Sequence, residues 1–530
     1  MPDAPLLETG VLVVGAGPTG LMAGLVLHRR GVDSLVIDGK SGPTRESRAI
    51  VVQARSMEIY DQLGLAEQVL AGANPAGRLR VAAAPARADR TDRTDGAAGS
   101  DRTDGAPGGA GADAGADFGA AQTGWTPFPG AQIFEQSRNE ELLARTLAEE
   151  GRPVRWGHRL VSFADHPDHV EVLVESPQGP LRIRARYLIG ADGASSPVRH
   201  QLGLPFDGVT DEATFCVADL HGVDGVPADS LVVRFGQQRF GLSFPLGQGG
   251  HVRLIWLHGT AHPDQDEALA AVAAEFALTY ERLEWFSAYQ VHHRMASHFR
   301  CGRVLLAGDA AHVHSPVGGQ GMNTGLQDAH HLACLLADVL AGRLAPAALD
   351  RYERERRPVA LTLIRATDRA FGVIARPGRW TASARRRARP VIGSLAPRVL
   401  ASRLGPYLAG LLGQYRIRYH AVASGEPSPR WARDRAVGLR LPPTAENAEA
   451  LRSLSWQLHS CGIEVARPAC APDWIEGPFA FPPDPQGRLR EDRLYLVRPD
   501  GYVAASFPVH AGAVAQADVR EALAAYGAQA

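Results

Sequence analysis

The first forty residues alternate between apolar runs and a glycine-rich turn. The apolar run Leu12–Val14 is followed directly by the sequence Gly-Ala-Gly-Pro-Thr-Gly, and large apolar residues then recur at helical spacing until Gly31. A second apolar run, Ser34–Ile37, ends in Asp38. This pattern predicts a strand, a tight turn, a helix and a second strand at the start of the chain.

Further along the chain, the hydrophobic pattern predicts a mixed α/β protein. Alternation of apolar and polar residues indicates strands, whereas apolar residues three and four positions apart indicate helices. The clearest strand patterns are 169–174, 181–187, 231–235, 252–257 and 494–497, and the clearest helical patterns are 142–149, 325–375 and 514–526.

Residues 81–124 break this pattern. The sequence Asp89–Gly96 repeats Asp-Arg-Thr, returns as Asp101–Gly105, and continues into a tract of Gly, Ala and Asp. Because this segment offers almost no large apolar side chain, burial cannot offset the entropy of ordering it. We therefore expect residues 81–124 to form a disordered surface insertion, and a deletion of Ala88–Gly119 to leave the melting temperature nearly unchanged.

Composition narrows the class of protein. A chain of 530 residues is long enough for about three domains. The net charge of −1 argues against a nucleic-acid-binding protein and against a protein that binds anionic membranes. The five cysteines contain no CxxC pair, which is typical of the reducing cytoplasm. We expect neither a membrane span nor a signal peptide.

The spacing Gly15-x-Gly17-x-x-Gly20 is that of a dinucleotide-binding turn. In such a turn the first glycine permits the tight bend, the second lets the backbone approach a pyrophosphate, and the third lets the helix pack on the strand. The N-terminus of the helix adds free N–H groups and the positive end of a dipole. Asp38, which ends the second strand, can accept hydrogen bonds from ribose hydroxyls.

Two further motifs place a carboxylate after an apolar strand. The first of these strands ends in Asp192, and this motif alone indicates only a turn. The other strand, Val304–Ala307, leads to Asp309, and a glycine-rich loop then opens a helix near Asn323. Asp309 can bind a ribitol-type hydroxyl, and the N–H groups of Gly321–Asn323 can face an anion.

In this order and spacing, the three motifs resemble those of the class A FAD-dependent aromatic monooxygenases, the para-hydroxybenzoate and phenol hydroxylase family. The resemblance covers about residues 7–375 and is greatest to the bacterial aromatic-polyketide hydroxylases of the aklavinone-11-hydroxylase type and to rifampicin monooxygenase. It implies an α/β fold with a Rossmann-like, GR2-type FAD-binding domain interleaved with a β-sheet substrate domain, plus a C-terminal thioredoxin-like domain without CxxC. The implied domains are 1–80, 125–215 and 290–375 for FAD, 216–289 with part of 81–135 for the substrate, a helical linker at 376–415, and 416–530 for the thioredoxin-like domain.

The resemblance also implies which residues hold FAD, without a covalent link. Thr19 and Asp38 belong with the ADP half, Arg48 with the phosphates and Gln136 with the flavin. Asp309 belongs with the ribityl chain and pyrophosphate, and Met322 and Asn323 with the isoalloxazine edge. The complete implied set is Gly15, Gly17, Pro18, Thr19, Gly20, Asp38, Arg45, Arg48, Gln136, Val154, Asp192, Asp309, Pro316, Gly321, Met322 and Asn323.

The implied activity is a monooxygenase reaction of antibiotic biosynthesis. A nicotinamide donor reduces FAD, O₂ adds to form a C4a-hydroperoxyflavin, and one oxygen atom enters a phenolic ring of a polycyclic aromatic substrate. A phenol largely activates itself, so we assign no catalytic side chain, and the site must exclude water. No second dinucleotide-binding turn occurs, so we expect NADPH or NADH to bind transiently, with Arg45 as one candidate contact. The implied protein is a monomer or homodimer.

Some alternatives remain open at this point. A Baeyer–Villiger oxygenase acting on a polyketide ketone shares all of these motifs, and so does a non-catalytic flavoprotein that sequesters a polyketide. A flavin halogenase needs a lysine in its pocket, whereas the only lysine of the chain, Lys40, follows the ribose-binding strand. His312 and His314 lie inside the third motif, where packing at a helix start explains them, and we expect no metal. Candidate pocket walls are Phe235, Phe240, Phe244 and Trp256.

Overall fold

The computed structural model describes residues 5–44, 49–83, 114–236, 239–260, 262–315, 318–375, 398, 402, 404–420, 428–444 and 446–529. The strands, in chain order, are β1 Leu6–Val14, β2 Ser34–Asp38, β3 Val51–Val52, β4 Asn74–Ala76, β5 Arg78–Ala83, β6 Ala114–Asp117, β7 Ala131–Ile133, β8 Arg155–Trp156, β9 Arg159–Asp165, β10 Val170–Ser176, β11 Gly179–Gly190, β12 Phe206–His221, β13 Ser230–Phe235, β14 Phe240–Pro245, β15 Val252–His258, β16 Arg282–Ala296, β17 Arg300–Cys301, β18 Val304–Leu306, β19 His312–Val313, β20 Trp456–Cys461, β21 Ile475–Phe481, β22 Arg493–Val497, β23 Val503–His510 and β24 Ala513–Val514. The α-helices are α1 Pro18–Arg29, α2 Ala54–Gln62, α3 Ala66–Gly72, α4 Gln136–Glu149, α5 Pro197–Gln201, α6 Gln265–Phe276, α7 Gly321–Leu340, α8 Asp350–Ala375, α9 Gly405–Leu412, α10 Ala448–Leu451 and α11 Gln516–Ala525.

The first sheet contains the strand–turn–helix–strand unit that the sequence predicts. Its central order is β17-β18-β11-β1-β2-β8, and β1 runs parallel to both β2 and β11. Residues Val11–Val13 of β1 are completely buried, as expected for a central parallel strand that is covered on both faces. Helix α1 packs against α4 and α7. The parallel arrangement brings the carboxyl ends of β1, β2 and β18 to one edge of the sheet.

The second sheet has the order β19-β16-β12-β15-β14-β13-β5-β6. Its long strand β12 already pairs with β16 at Phe206, opposite Ala296, so the expected boundary between residues 215 and 216 falls inside a strand. The edge strand β19, His312–Val313, belongs to the third motif. The two sheets are therefore interleaved along the chain, and the third motif connects them.

The expectation that all of residues 81–124 are disordered is wrong at both ends. Strand β5 extends to Ala83, and β6 pairs with it in an antiparallel ladder. Phe118 and Gln122 are buried. Backbone hydrogen bonds thus order a sequence as poor in large side chains as that of β6, and a deletion through Gly119 would remove a strand. Residues 84–113 lie outside the described part of the chain.

The helical pattern predicted for 325–375 forms two helices. Helix α7 begins at Gly321 and ends at Leu340, where Gly342 adopts a φ of +71° that cannot continue a helix. A short 3₁₀ turn, Pro346–Leu349, then leads into α8. No helix in the described ranges is both long and apolar enough to cross a membrane.

The third sheet, with the order β21-β20-β22-β23-β24, lies in the C-terminal part of the chain. Buried ion pairs attach this sheet to helices α7 and α8. The guanidinium of Arg498 lies 2.8 Å from the Glu355 carboxylate of α8, and Asp500 lies 2.8 Å from Nδ1 of His331 on α7. Because both pairs are almost fully buried, separating the C-terminal unit would leave charges without partners in an apolar interface.

Candidate active site

A cavity of about 500 Å³ opens between the edge of the first sheet and the second sheet. One side is formed by the turn after β1, the turn after β18 and the first residues of α7. The other side is formed by strands β14, β15 and β16. Of the residues predicted to hold FAD, those that line this cavity are Gly17, Pro18, Thr19, Gln136, Asp309, Gly321 and Met322. Residues that are far apart in the sequence thus meet at one opening.

The three glycines of the first turn differ in what surrounds them. Gly15 has a φ of +105°, and a Cβ added there would lie 2.3 Å from the carbonyl oxygen of Ala191. A Cβ at Gly20 would lie 1.8 Å from the carbonyl oxygen of Gly15, whereas a Cβ at Gly17 would meet nothing within 4 Å. Gly15 and Gly20 are therefore required by backbone packing, and Gly17 leaves the space that a pyrophosphate needs. The turn fits the phosphates of FAD.

Asp38 lies beside this turn, as predicted. Its carboxylate accepts hydrogen bonds from the backbone N–H of Ala16 at 2.7 Å and of Lys40 at 2.8 Å. Each carboxylate oxygen has a second lone pair, so Asp38 can hold the turn and also accept from a ribose hydroxyl.

A buried carboxylate that the sequence did not single out, Glu140 on α4, connects this region to Gln136. It accepts hydrogen bonds from the backbone N–H of Thr44 at 2.7 Å and from Nε2 of Gln136 at 2.9 Å. The ammonium of Lys40 lies 3.6 Å from Glu140. These contacts hold Gln136, the first residue of α4, at the cavity wall. They also engage Lys40, the only lysine of the chain, which does not line the cavity.

Asp309 is the one exposed residue of its turn. Gly308 and Ala310 on either side are buried, so the carboxylate of Asp309 faces the cavity. Thr19 of the first turn packs against this second turn, because a Cβ at Gly308 or at Gly325 would lie within 2.5 Å of its hydroxyl oxygen. The two turns therefore touch, and both line the same cavity.

A buried ionic network supports the Asp309 turn from behind. Asp328 accepts hydrogen bonds from Nε2 of His312 at 2.7 Å, from Nε of Arg356 at 2.6 Å and from the N–H of Gly308 at 3.3 Å. Burial opposes ionisation of Asp328, but Arg356 and His312 outweigh it and lower its pKa to about 2. Arg356 also donates to the hydroxyl of Tyr419 at 2.9 Å. The residues that hold this turn thus come from α7, α8 and the segment after α9.

The second motif positions backbone rather than presenting a carboxylate. Asp192 accepts a hydrogen bond from the N–H of Val198 and so caps α5. Helix α5 carries the buried Arg199, which donates to the carbonyl oxygens of Ala194 at 2.8 Å and of Ala310 at 2.9 Å. Arg199 therefore joins the second motif to the Asp309 turn, and the neighbours of Asp192, rather than Asp192 itself, line the cavity.

Asn323 also has a supporting role. Its side chain is fully buried, donates to the carbonyl oxygens of Val51 and Gly319 at 2.8 Å each, and accepts from the N–H of Gln53 at 2.8 Å. Because these contacts use the whole amide, Asn323 holds the loop before α7 and does not line the cavity. Val154 is likewise buried in the core beside β8. Arg45, Arg48 and Pro316 lie outside the described residues.

The second sheet supplies an apolar wall through alternation along its strands. Phe244 and Ile255 line the cavity. Phe240 lies four residues before Phe244 on β14, where it is buried and does not line the cavity. Trp256 points to the opposite face, where it packs with residues of α6, so its prediction as a wall is wrong. Successive residues of a strand face opposite sides, and Ile255 occupies the cavity side of β15. The side chain of Phe235 lies outside the description.

A polar chain on β16 reaches the cavity at His292, a residue that the sequence pattern did not mark. Arg294 donates to the hydroxyl oxygen of Thr210 at 3.0 Å, and that hydroxyl lies 2.8 Å from Nδ1 of His292. Because Arg294 can only donate, the hydroxyl proton is free to go to Nδ1. Burial and the nearby Arg294 lower the pKa of His292, which favours a neutral ring with its proton on Nε2. His292 thus offers a hydrogen-bond donor.

Known proteins agree with this architecture. The sequence matches the family model described as FAD binding domain over residues 8–367. A 12-dehydrotetracycline 5-monooxygenase/anhydrotetracycline 6-monooxygenase of Streptomyces rimosus is 30% identical over 93% of this chain and 94% of that protein. A flavin-dependent monooxygenase of Mycobacteroides abscessus is 31% identical over 93% of this chain and 96% of its own length. The crystal structure of CabE, an aromatic hydroxylase from angucycline biosynthesis, is similar with a TM-score of 0.73 and 30% identity, covering 98% of this chain and all of CabE. Together with the glycine turns and the cavity that they share, these matches show that the chain belongs to the FAD-binding-domain family and is an FAD-dependent monooxygenase of the aromatic hydroxylase type.

Proposed function

We propose that the protein hydroxylates a phenolic ring of a polycyclic aromatic polyketide in antibiotic biosynthesis, with O₂ as oxygen source and NADPH or NADH as electron donor. The observation that carries the proposal is the position of the cavity, which the nucleotide-binding turns close on one side and the second sheet closes on the other. The names of the tetracycline and angucycline enzymes support the substrate class.

When bound, FAD would pass electrons from the nicotinamide donor to O₂ and so activate the oxygen, and the chain supplies position and shielding. The open space at Gly17 accepts the pyrophosphate, Asp38 the ribose hydroxyls and Asp309 the ribityl hydroxyls. Gln136 and Met322 line the same cavity and belong with the flavin ring. We include Arg45, Arg48 and Pro316 in the proposed set on the resemblance alone.

On the substrate side, Phe244 and Ile255 exclude water from the reacting ring. The Nε2–H of His292 favours a substrate that presents a carbonyl or phenolate oxygen. A donor aimed at that oxygen fixes which ring carbon approaches the flavin. No side chain is needed as a nucleophile.

The proposal includes a thioredoxin-like C-terminal unit without redox function. Its sheet places β20 parallel to β21 and antiparallel to β22, and α11 follows the last strand. Cys461 and Cys470 are both free thiols, and burial raises the pKa of Cys461 to about 11. A thiol with such a pKa is a poor nucleophile at neutral pH.

Polycyclic phenols offered to the purified flavoprotein test the proposed reaction. We expect a substrate to accelerate NADPH oxidation strongly and to yield a product that is one oxygen atom heavier and keeps its carbon skeleton. A ring-expanded ester as product would instead indicate a Baeyer–Villiger oxygenase. Tight binding without any acceleration would indicate a sequestering protein.

The variant Asp309→Ala tests the cofactor assignment separately from the substrate. Charge-assisted hydrogen bonds contribute roughly 1.5–3 kcal/mol each, so FAD retention should weaken by about tenfold or more. Asp224→Ala, which removes an exposed carboxylate in the turn after β12, is the matched control. Equal FAD affinity in both variants would contradict the assignment of Asp309.

A further inference from the structure

Three side chains of metal-ligand type converge at one end of the second sheet, outside the lining of the cavity. His221 ends β12, His251 directly precedes β15, and Glu284 lies on β16. Nε2 of His221 lies 2.5 Å from a carboxylate oxygen of Glu284, and Nε2 of His251 lies 3.4 Å from the same oxygen. All three donor atoms lie within 4.8 Å of one another.

This cluster is separate from the active site. Phe215 of β12 pairs with Tyr289, which lines the cavity, whereas His221 follows six residues later on the same strand. On the neighbouring strand, His251 lies two residues before Arg253, which pairs with the cavity-lining Phe244 of β14. The cluster therefore lies beside the cavity wall, but none of its three side chains lines the cavity.

The two imidazoles lie side by side. Their rings are stacked, with centroids 4.1 Å apart and planes at 10°. Burial, together with the neighbouring His221, lowers the pKa of His251. Nε2 of His251 is buried and makes no hydrogen bond to any residue in the described ranges. Two imidazolium rings at this separation would repel each other, whereas two neutral rings can share one cation.

A second cluster of the same residue types, His166, His169 and Glu171, shows what a cluster without a free carboxylate looks like. Glu171 already accepts from Nε of Arg182 at 2.8 Å, and Nδ1 of His169 is paired with a neighbouring aspartate. Glu284, in contrast, has no arginine or lysine at ion-pair distance among the described residues. Its contacts at that distance are the two imidazoles.

We propose that His221, His251 and Glu284 form a binding site for Zn²⁺, with water in the fourth position. Two imidazole nitrogens and one carboxylate oxygen are a common donor set for this ion, at distances of about 2.0–2.2 Å. Glu284 is half exposed and can move to admit the ion between itself and the rings. Because the ligands come from β12, β16 and the start of β15, the ion connects three adjacent strands of the second sheet.

Zinc titration of the FAD-loaded protein, after treatment with a chelator, tests the proposal. Competition with a chromophoric zinc chelator should reveal one saturable site per chain of micromolar affinity, with no response to Mg²⁺. Affinity should fall as the pH drops below about 6.5, because imidazole must be neutral to bind. Absence of saturable binding at neutral pH would overturn the proposal.

Variants locate the site. Glu284→Gln and His251→Gln should each weaken zinc binding by at least about tenfold, while His169→Gln in the second cluster should leave it unchanged. The melting temperature and FAD content of each variant, measured without zinc, show whether it folds. If His251→Gln does not fold, Glu284→Gln still tests the site, because it keeps both imidazoles. Zinc binding that survives Glu284→Gln, or that His169→Gln abolishes, would overturn the assignment.

Discussion

Two turns approach the same cavity, and they are held in different ways. The turn at Gly15–Gly20 is shaped by close backbone packing, since a Cβ added at Gly20 would overlap the carbonyl oxygen of Gly15 and one added at Gly15 would overlap that of Ala191. The turn at Gly308–Ala310 is held by the side chains of Asp328, His312 and Arg356, which form buried ion pairs and hydrogen bonds. The first turn therefore depends on the absence of side chains at its glycines, whereas the second depends on charged side chains of α7 and α8 behind it.

Removing Asp328, the central residue of the network behind the Gly308–Ala310 turn, should have the largest effect. Asp328→Ala leaves Arg356 buried without its carboxylate, which typically costs about 3–5 kcal/mol of unfolding free energy. Chemical denaturation measures this loss, and FAD retention should fall with it. Asp350→Ala, which removes an exposed partner of Arg300, should change stability by no more than about 0.5 kcal/mol. A loss below about 1 kcal/mol for Asp328→Ala would show that the turn does not depend on this ionic network.

A pair of glycine substitutions tests the first turn. Gly20→Ala forces a methyl group against the carbonyl of Gly15 and should cost about 1–3 kcal/mol of unfolding free energy. Gly17→Ala meets no atom in the protein, so the apoprotein should keep its stability within about 0.5 kcal/mol. FAD binding, followed by flavin fluorescence, should nevertheless weaken. If both variants lose stability equally, the space at Gly17 is not reserved for a ligand.

The outer part of the second support is tested by Tyr419→Phe. This change removes the hydroxyl that accepts a hydrogen bond from Arg356 and should cost about 1.5 kcal/mol. Tyr407→Phe, at a half-exposed position on α9, is the control and should be neutral. An equal melting temperature for wild type and Tyr419→Phe would mean that only residues of α7 and α8 support the Gly308–Ala310 turn.

The smallest effect at neutral pH concerns His330, which lies in the same helix as Asp328. Burial lowers its pKa to about 3, below the ordinary value of 6.5. Since the folded state resists protonation, stability present above pH 6.5 is lost as the pH falls towards the folded-state pKa. His330→Leu removes this loss, so unfolding free energies measured between pH 7 and pH 4 should fall less steeply. An unchanged slope would mean that other groups cause the acid sensitivity.

The same contrast explains what could be predicted from the sequence. The spacing of Gly15, Gly17 and Gly20 predicts the strand, turn and helix because the whole motif lies within six consecutive residues between two apolar runs. A carboxylate directly after an apolar strand predicts that Asp309 faces the cavity, whereas Asp192, which follows β11 in the same way, caps α5 instead. The predictions that agree with the structure thus rest on short stretches of sequence.

The errors have non-local causes. Asp328 gives no signal in the sequence, because its partners His312 and Arg356 are distant along the chain. The side chain of Asn323 turns from the cavity to the backbone of β3, a neighbour that spacing does not reveal. The ladder that orders β6 uses main-chain groups, so its composition is uninformative. Trp256 has the right residue type and the wrong parity on β15.

That parity has an evolutionary consequence. On β15, Ile255 and Trp256 are under different constraints, because Ile255 lines the cavity and Trp256 packs in the core beneath α6. A substitution at Ile255 reshapes the cavity and the apolar cluster that it shares with Phe244, and it leaves the core around Trp256 in place. A lineage that inherits this sheet can therefore explore new aromatic substrates by single substitutions, and retain at each step a protein that still folds.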